Sequence, residues 1–330
     1  MKDISTKKIN GKKRYVLLTV FVILAVFASV SFWICYQSLQ AEAYARYMGV
    51  RNVSAEKISR IIRGVEMNAQ NIFDEVNNHH ETPEEVIEAL QSKVNLNLDV
   101  RGYFAAFEPD YFPEKGTWYE PYIYQPEQGG FEYRQVGSAR HNYLKSPWYV
   151  HAKSTGKCFW SKPYYYYDGT SMSGHYCTFI KPIYGLDGKL VCVCGADMKF
   201  EWLAKELEWV DNTSRVNKLL NKYHLFTEFN FYSVILNTDG TCLAHPGEDN
   251  MTITDSKIIK DLESKRGGIA ETNLGGMECI LYYGPIEFVD WSIAVVVPKW
   301  DFLKPMLPAA AIFLFITVVG LFVVWLELRK

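Results

Sequence analysis

Two things are scarce in this 330-residue sequence: net charge and catalytic signature. The formal charge is only −2, from 35 Lys+Arg against 37 Asp+Glu. Without a basic excess there is no electrostatic footprint for nucleic acid. Gly-x-Ser-x-Gly, His-Glu-x-x-His and Gly-x-x-x-x-Gly-Lys are all missing. Those absences remove the hydrolase elbow, the helix-borne zinc pair and the phosphate-cradling loop. The seven cysteines include no Cys-x-x-Cys, and none of the seven histidines stands at metal-site spacing. No metal, haem or other cofactor is expected, and nothing marks this chain as an enzyme. Disorder is excluded too, because 48% of residues are hydrophobic and 15% aromatic.

The mean hydropathy of −0.10 hides a segregated sequence. Tyr15 to Ala41 contains no charged residue, and its core YVLLTVFVILAVFASVSFWICY runs from Tyr15 to Tyr36. A second uncharged run, PMLPAAAIFLFITVVGLFVVWL, covers Pro305 to Leu326. At a rise of ~1.5 Å per residue, either run crosses a hydrocarbon layer of ~30 Å. Trp33, Tyr36, Trp300 and Trp325 stand near the ends of the runs, where amphipathic rings favour the interface. A cleaved leader has an apolar core of only ~7–15 residues. A membrane anchor is therefore the better reading of the first run, with a leader or a buried core helix as alternatives. Lys2, Lys7, Lys8, Lys12, Lys13 and Arg14 precede the first run, and Arg329 and Lys330 follow the second. Both termini are thus expected in the cytoplasm. The acidic middle, 37–304, is expected in the periplasm or outside the cell.

Within that middle, Ile58, Ile61, Ile62, Val65, Ala69, Ile72, Phe73 and Val76 recur at helical spacing. Thr82-Pro83-Glu84-Glu85 reads as the start of a short second helix. Strands are predicted over 102–107, 158–163, 176–182 and 190–196, with a short helix over 148–154 and loops through 108–147. A helix over 199–221 leads to a second strand set over 231–236, 241–244, 268–273, 278–283 and 291–297. A helix over 254–264, with Thr254 as its N-cap, interrupts that set. The two halves share a pattern of helix and antiparallel strands around an Asp-Gly turn, a weak internal repeat.

Several phrases carry a resemblance: WYVHAKSTGKCFWSKPYYYYDG from Trp148, FIKPIYGLDGKLVCVCGADMKFEWL from Phe179, ILNTDGTCLAHPGEDNM from Ile235 and YYGPIEFVDWSIAVVVPK from Tyr282. In this order, between two spans, they resemble the extracellular double Cache sensor of bacterial transmembrane receptors. The resemblance implies an α+β fold, with two PAS-like antiparallel-sheet modules on a long N-terminal helix between two transmembrane helices. The segments are then a cytoplasmic tail (1–14), a span (15–36), a stalk helix and short second helix (37–99), and a membrane-distal module (100–210). A membrane-proximal module (211–304), a second span (305–326) and a cytoplasmic end (327–330) follow.

The resemblance also implies a function. Such a receptor sits in the bacterial inner membrane and binds a small molecule in its distal module. It passes a conformational signal to a cytoplasmic signalling domain or partner protein, of kinase, chemotaxis, cyclic-dinucleotide-enzyme or phosphatase type, and works as a homodimer. Only four residues follow Leu326, so the output is expected on a longer chain or on a partner. A membrane-anchored scaffold or adhesion ectodomain without a small ligand is the alternative of a different class.

In the amino-acid-binding branch of the family, an Arg stands two positions before a Trp-Tyr pair, then come a Tyr-x-Asp and an Asp after the last distal strand. Here Trp148 and Tyr149 match the pair, Tyr166 and Asp168 the Tyr-x-Asp, and Asp197 the final Asp, while the Arg position holds Ser146. Arg134 and Arg140 are the nearby arginines. Two carboxylates and several aromatic faces suit an amine or amino acid ligand. Tyr103 is a further candidate contact. The plainer readings are a turn for Asp168, a helix cap for Asp197 and core packing for Trp148. Cys158–Cys177 and Cys242–Cys279 are conceivable disulfides and free thiols the alternative, while Cys192 and Cys194 share a strand face and are not expected to bond.

Overall fold

A computed structural model describes residues 2–94, 97, 99–126, 129–166, 173–215, 230–244, 251–304 and 306–329. The first apolar run and the stalk form one unbroken helix, α1 (Lys2–Asn78). Its stripe from Ile58 to Val76 is buried at the predicted spacing, with Ile61 partly so. α2 (Pro83–Gln91) starts with a capping box, Thr82 accepting from the Glu85 N–H and Glu85 reaching back to the Thr82 N–H.

Among the described residues, twelve strands form two antiparallel sheets. The distal sheet holds β1 (Gly102–Phe107), β2 (Pro121–Tyr124), β3 (Glu132–Gln135), β4 (Phe159–Trp160), β5 (Tyr164–Tyr166), β6 (Gly174–Tyr184) and β7 (Leu190–Lys199). Their order is β3-β2-β1-β7-β6-β4, with β5 also paired to β6. α3 (Pro147–Thr155) packs over one face and ends on Gly156 in the left-handed conformation. α4 (Phe200–Arg215) leads to the proximal sheet of β8 (Tyr232–Asn237), β9 (Cys242–Ala244), β10 (Gly268–Leu274), β11 (Met277–Pro285) and β12 (Trp291–Pro298). Its order, β9-β8-β12-β11-β10, again places the first strand between the second and the last. The faint repeat in the sequence is thus a shared topology.

Some expectations shift. β2 and β3 lie where loops were expected, and the strand predicted over 158–163 is only Phe159–Trp160. α5 (Ser256–Glu263) is capped by Asp255, whose carboxylate accepts from the Lys257 and Ile258 N–H groups, not by Thr254. α4 runs through the expected module boundary at 210/211, and buried Asp211 accepts from the Ser233 N–H and Oγ at 2.6 Å each. All seven cysteines are thiols, with Sγ of Cys192 and Cys194 3.8 Å apart.

One core joins the modules. The α1 stripe packs on β1, β6 and β7 and also meets Ile235, Trp291 and Ile293 of the proximal sheet. Where the modules touch, the Trp160 indole N–H donates to Glu66 of α1 at 2.7 Å, and its ring lies 6.4 Å from that of Trp291. β12 runs through α6 (Lys299–Leu303) into α7 (Met306–Arg329). Two stretches, in α1 and in 299–326, are long and apolar enough to cross a membrane. Their apolar side chains, such as Phe27, Trp33, Phe315 and Phe322, are exposed, as lipid-facing groups would be. They pack on each other where Gly320 leaves room for Leu24.

Candidate ligand-binding site

The central strands β1 and β7 of the distal sheet are buried on both faces, and strand alternation sorts their residues. Gly102 pairs with Asp197 and Phe104 with Gly195 across β1 and β7, and Thr178 of β6 pairs with Asp197 from the other side. These residues face away from α1. Tyr103, Ala105, Ala196 and Cys194 face α1. Two glycines shape the outer face: a Cβ on Gly102 would collide with the Tyr122 ring, and one on Gly195 with the Phe104 ring. Their absent side chains let Tyr122 reach across to Asp197 and seat Phe104 on the sheet.

A small cavity of about 50 Å³ results, lined by Phe104, Glu120, Tyr122, Val136, His141, Trp148, Tyr164, Tyr166, Tyr176 and Asp197. Asp197 forms its floor. Its Oδ1 accepts from Thr178 Oγ1 at 2.5 Å and Tyr164 Oη at 3.3 Å, and its Oδ2 from Tyr122 Oη at 3.1 Å. Burial pushes its carboxyl up to about 6, against the pull of those hydrogen bonds. Glu120, immediately before β2, is only 4% exposed. Its Oε2 makes no hydrogen bond, and His141 Nε2 stands 3.7 Å away. Burial, and then the charge of Asp197, push Glu120 well above the usual carboxylate range. Burial lowers His141. Among the described residues no Lys or Arg lines the cavity.

Two buried carboxylates share this aromatic cavity, and one of their oxygens has no donor among the described residues, an arrangement that a cation would complement. A group with several N–H donors and a positive charge supplies what Glu120 lacks, and the surrounding rings favour it further.

Of the residues named from the sequence, Trp148, Tyr166 and Asp197 meet in this cavity. Asp197 lies within β7, so it is not a helix cap. Tyr149 is buried behind Trp148, where its hydroxyl donates to Glu108 Oε1 at 2.6 Å and Lys153 grips both Glu108 oxygens. It anchors α3 and does not line the cavity. Tyr103 lies on the opposite face of β1, its hydroxyl accepting from Asn68 Nδ2 at 2.6 Å, so it belongs to the α1 packing. Asp168 lies outside the described residues. Arg140 is exposed, and neither it nor Arg134 lines the cavity. The sequence reading missed Glu120, Tyr122, Phe104, His141 and Tyr176. The one available signal was Glu120 itself, the only acid in the aromatic run Trp118 to Tyr124.

Residues 86–205 match a family model described as the methyl-accepting chemotaxis protein-like, first PDC sensor domain. No curated protein matches the chain by sequence. Among solved structures, the periplasmic sensory domain of the Campylobacter jejuni chemoreceptor Tlp1 aligns with a TM-score of 0.64 and 14% identity, over 81% of this chain and 99% of that one. The extracellular domain of the candidate histidine kinase soHK1S-Z6 gives 0.61 and 19%, over 81% and 98%. The ligand-binding domain of the Pseudomonas aeruginosa amino acid chemoreceptor PctB, in complex with L-Gln, gives 0.52 and 18%, over 82% and 97%. With the shared topology of its two sheets and its long N-terminal helix, the chain has the double Cache fold seen in these extracellular sensor domains, and its residues 86–205 match the PDC sensor-domain model of methyl-accepting chemotaxis protein-like receptors.

Proposed function

We propose that the chain is the sensory part of a bacterial inner-membrane receptor, with both termini cytoplasmic and the two modules periplasmic or extracellular. A small molecule bearing a cationic nitrogen binds the distal cavity between Asp197 and Glu120, with Trp148 and Tyr166 closing over it. The observation that carries this reading is the buried Glu120 oxygen with no hydrogen-bond donor, facing a cavity that also contains Asp197. PctB, in complex with L-Gln, and Mlp24, with asparagine, have the same fold and support a ligand of this size. Among the described residues the site has no Lys or Arg lining for a carboxylate, which favours an amine over an amino acid.

Binding shifts the distal module against α1 and the proximal sheet, and the displacement reaches the cytoplasm through both spans. Signalling of this kind requires the ligand to bind two conformations with unequal affinity. The receptor works as a homodimer and hands its signal to a cytoplasmic signalling domain or partner. A thermal-shift screen of the full chain in detergent, against amines, amino acids, carboxylates and purines, tests the ligand class. Amines should stabilise it; stabilisation by carboxylates or purines alone would contradict the reading.

A further inference from the structure

We infer that the ligand is an arylalkylamine: an ammonium group in the small cavity, a flat aromatic body in an adjoining groove, and no carboxylate beside the nitrogen. This rests on the amine reading above and adds the rest of the molecule to it. The cavity, at about 50 Å³, has room for an ammonium and a few further heavy atoms. Larger ligands must extend through its wall.

A groove of about 770 Å³ lies on the other side of that wall and shares His141, Trp148, Tyr164 and Tyr166 with the cavity. Beyond those shared residues, Phe159, Trp160 and Tyr165 line it. Phe159 and Trp160 are half-buried and Tyr165 is exposed. Aromatic walls of this kind reward a ring that stacks on them or meets them edge to face. Trp148 and Tyr164 are common to both linings, and Trp148 also packs on Phe104 at 5.1 Å between ring centres. A molecule spanning both places its charge on the carboxylates and its ring among the aromatics.

Exclusion of a carboxylate beside the nitrogen follows from the same geometry. A carboxylate on the adjacent carbon would enter the cavity with the ammonium and face Asp197 and Glu120. Groups of like charge disfavour one another there, and no cation lines the cavity to offset them. Lys162 is a cation of the groove, but its ammonium turns to Asp239 of the proximal module at 3.6 Å.

Calorimetric titration of the full chain with methylamine, phenethylamine and L-phenylalanine separates the parts of this claim. Phenethylamine should bind about 30–100-fold more tightly than methylamine, as burial of a phenyl ring implies. It should also bind at least about 10-fold more tightly than L-phenylalanine. In Tyr165→Ala, which removes an exposed ring, phenethylamine should weaken several-fold and methylamine should not change. Equal binding of methylamine and phenethylamine would overturn the groove assignment and leave the amine reading standing. Equal binding of L-phenylalanine and phenethylamine would overturn the exclusion of the carboxylate. If none of the three binds, both this inference and the amine reading fall.

Discussion

Asp197→Asn should make the ligand-free protein more stable at neutral pH, although it removes a charge on which the proposed site depends. An ordinary aspartate titrates near 3.8, and burial moves this one to about 6. Each pH unit between the two values is worth about 1.4 kcal/mol. The ionised fold therefore carries a penalty of about 3 kcal/mol relative to the protonated one. The sign follows from proton counting. Between about pH 4 and 6 the folded protein holds a proton that the unfolded chain has released. Stability is therefore fully present below about pH 4 and is lost as pH rises through about 6. Asparagine cannot ionise and escapes this loss. It keeps one oxygen for Thr178 and gives up about one hydrogen bond among those from Tyr122 and Tyr164, a cost of about 1 kcal/mol. At pH 7.5 the variant should be more stable by about 2 kcal/mol, and at pH 3.5 less stable by about 1 kcal/mol. Urea unfolding of the full chain in detergent, followed by tryptophan fluorescence at the two pH values, reads this difference. A variant less stable than the parent by the same amount at both pH values would refute the reasoning.

Other perturbations separate site from scaffold. Tyr103→Phe should leave ligand affinity unchanged and cost about 1 kcal/mol of stability, since it removes only the acceptor for buried Asn68; chemical denaturation and a binding titration check both halves. Gly195→Ala should drive Phe104 off the sheet, cost about 1–3 kcal/mol by overpacking and abolish binding, measured by thermal unfolding with and without a stabilising amine. Trp160→Phe removes the indole N–H from Glu66 while keeping a ring against Trp291. It should preserve affinity while loosening the contact between modules, read as faster hydrogen exchange in β12 and the middle of α1.

How much of this was legible depended on whether a pattern had one interpretation. The α1 stripe from Ile58 to Val76 was readable because a helix half-buried on a sheet leaves a 3.6-residue period. The second helix was readable from Thr82 and Glu85, whose reciprocal bonds need that spacing. β1 gave no such help. Every residue of GYFAAF is buried, so alternation cannot tell which face holds α1, and Tyr103 was placed on the wrong side. Trp148 and Tyr149 were paired as neighbours, but successive helical residues point about 100° apart, and only Trp148 reaches the cavity. Glu120 was hidden because β2 and β3 are four residues each, set among Pro and Gly. Its importance comes from a tertiary fact, the approach of β2 to the last distal strand through Tyr122. Asp197 was found because it follows the strand predicted over 190–196 at a position the family resemblance singles out.

The central claim is that paired carboxylates in the distal cavity hold a cationic nitrogen. Its most direct test is the affinity of the strongest stabilising amine for the Asp197→Asn, Glu120→Gln double variant, titrated beside the parent chain at pH 7.5. Each lost charge-assisted contact weakens binding by about 10-fold or more, so the double variant should bind at least about 100-fold more weakly while remaining folded by circular dichroism. Affinity equal to that of the parent would show that the nitrogen does not sit between these two carboxylates, and the account of the site would fail.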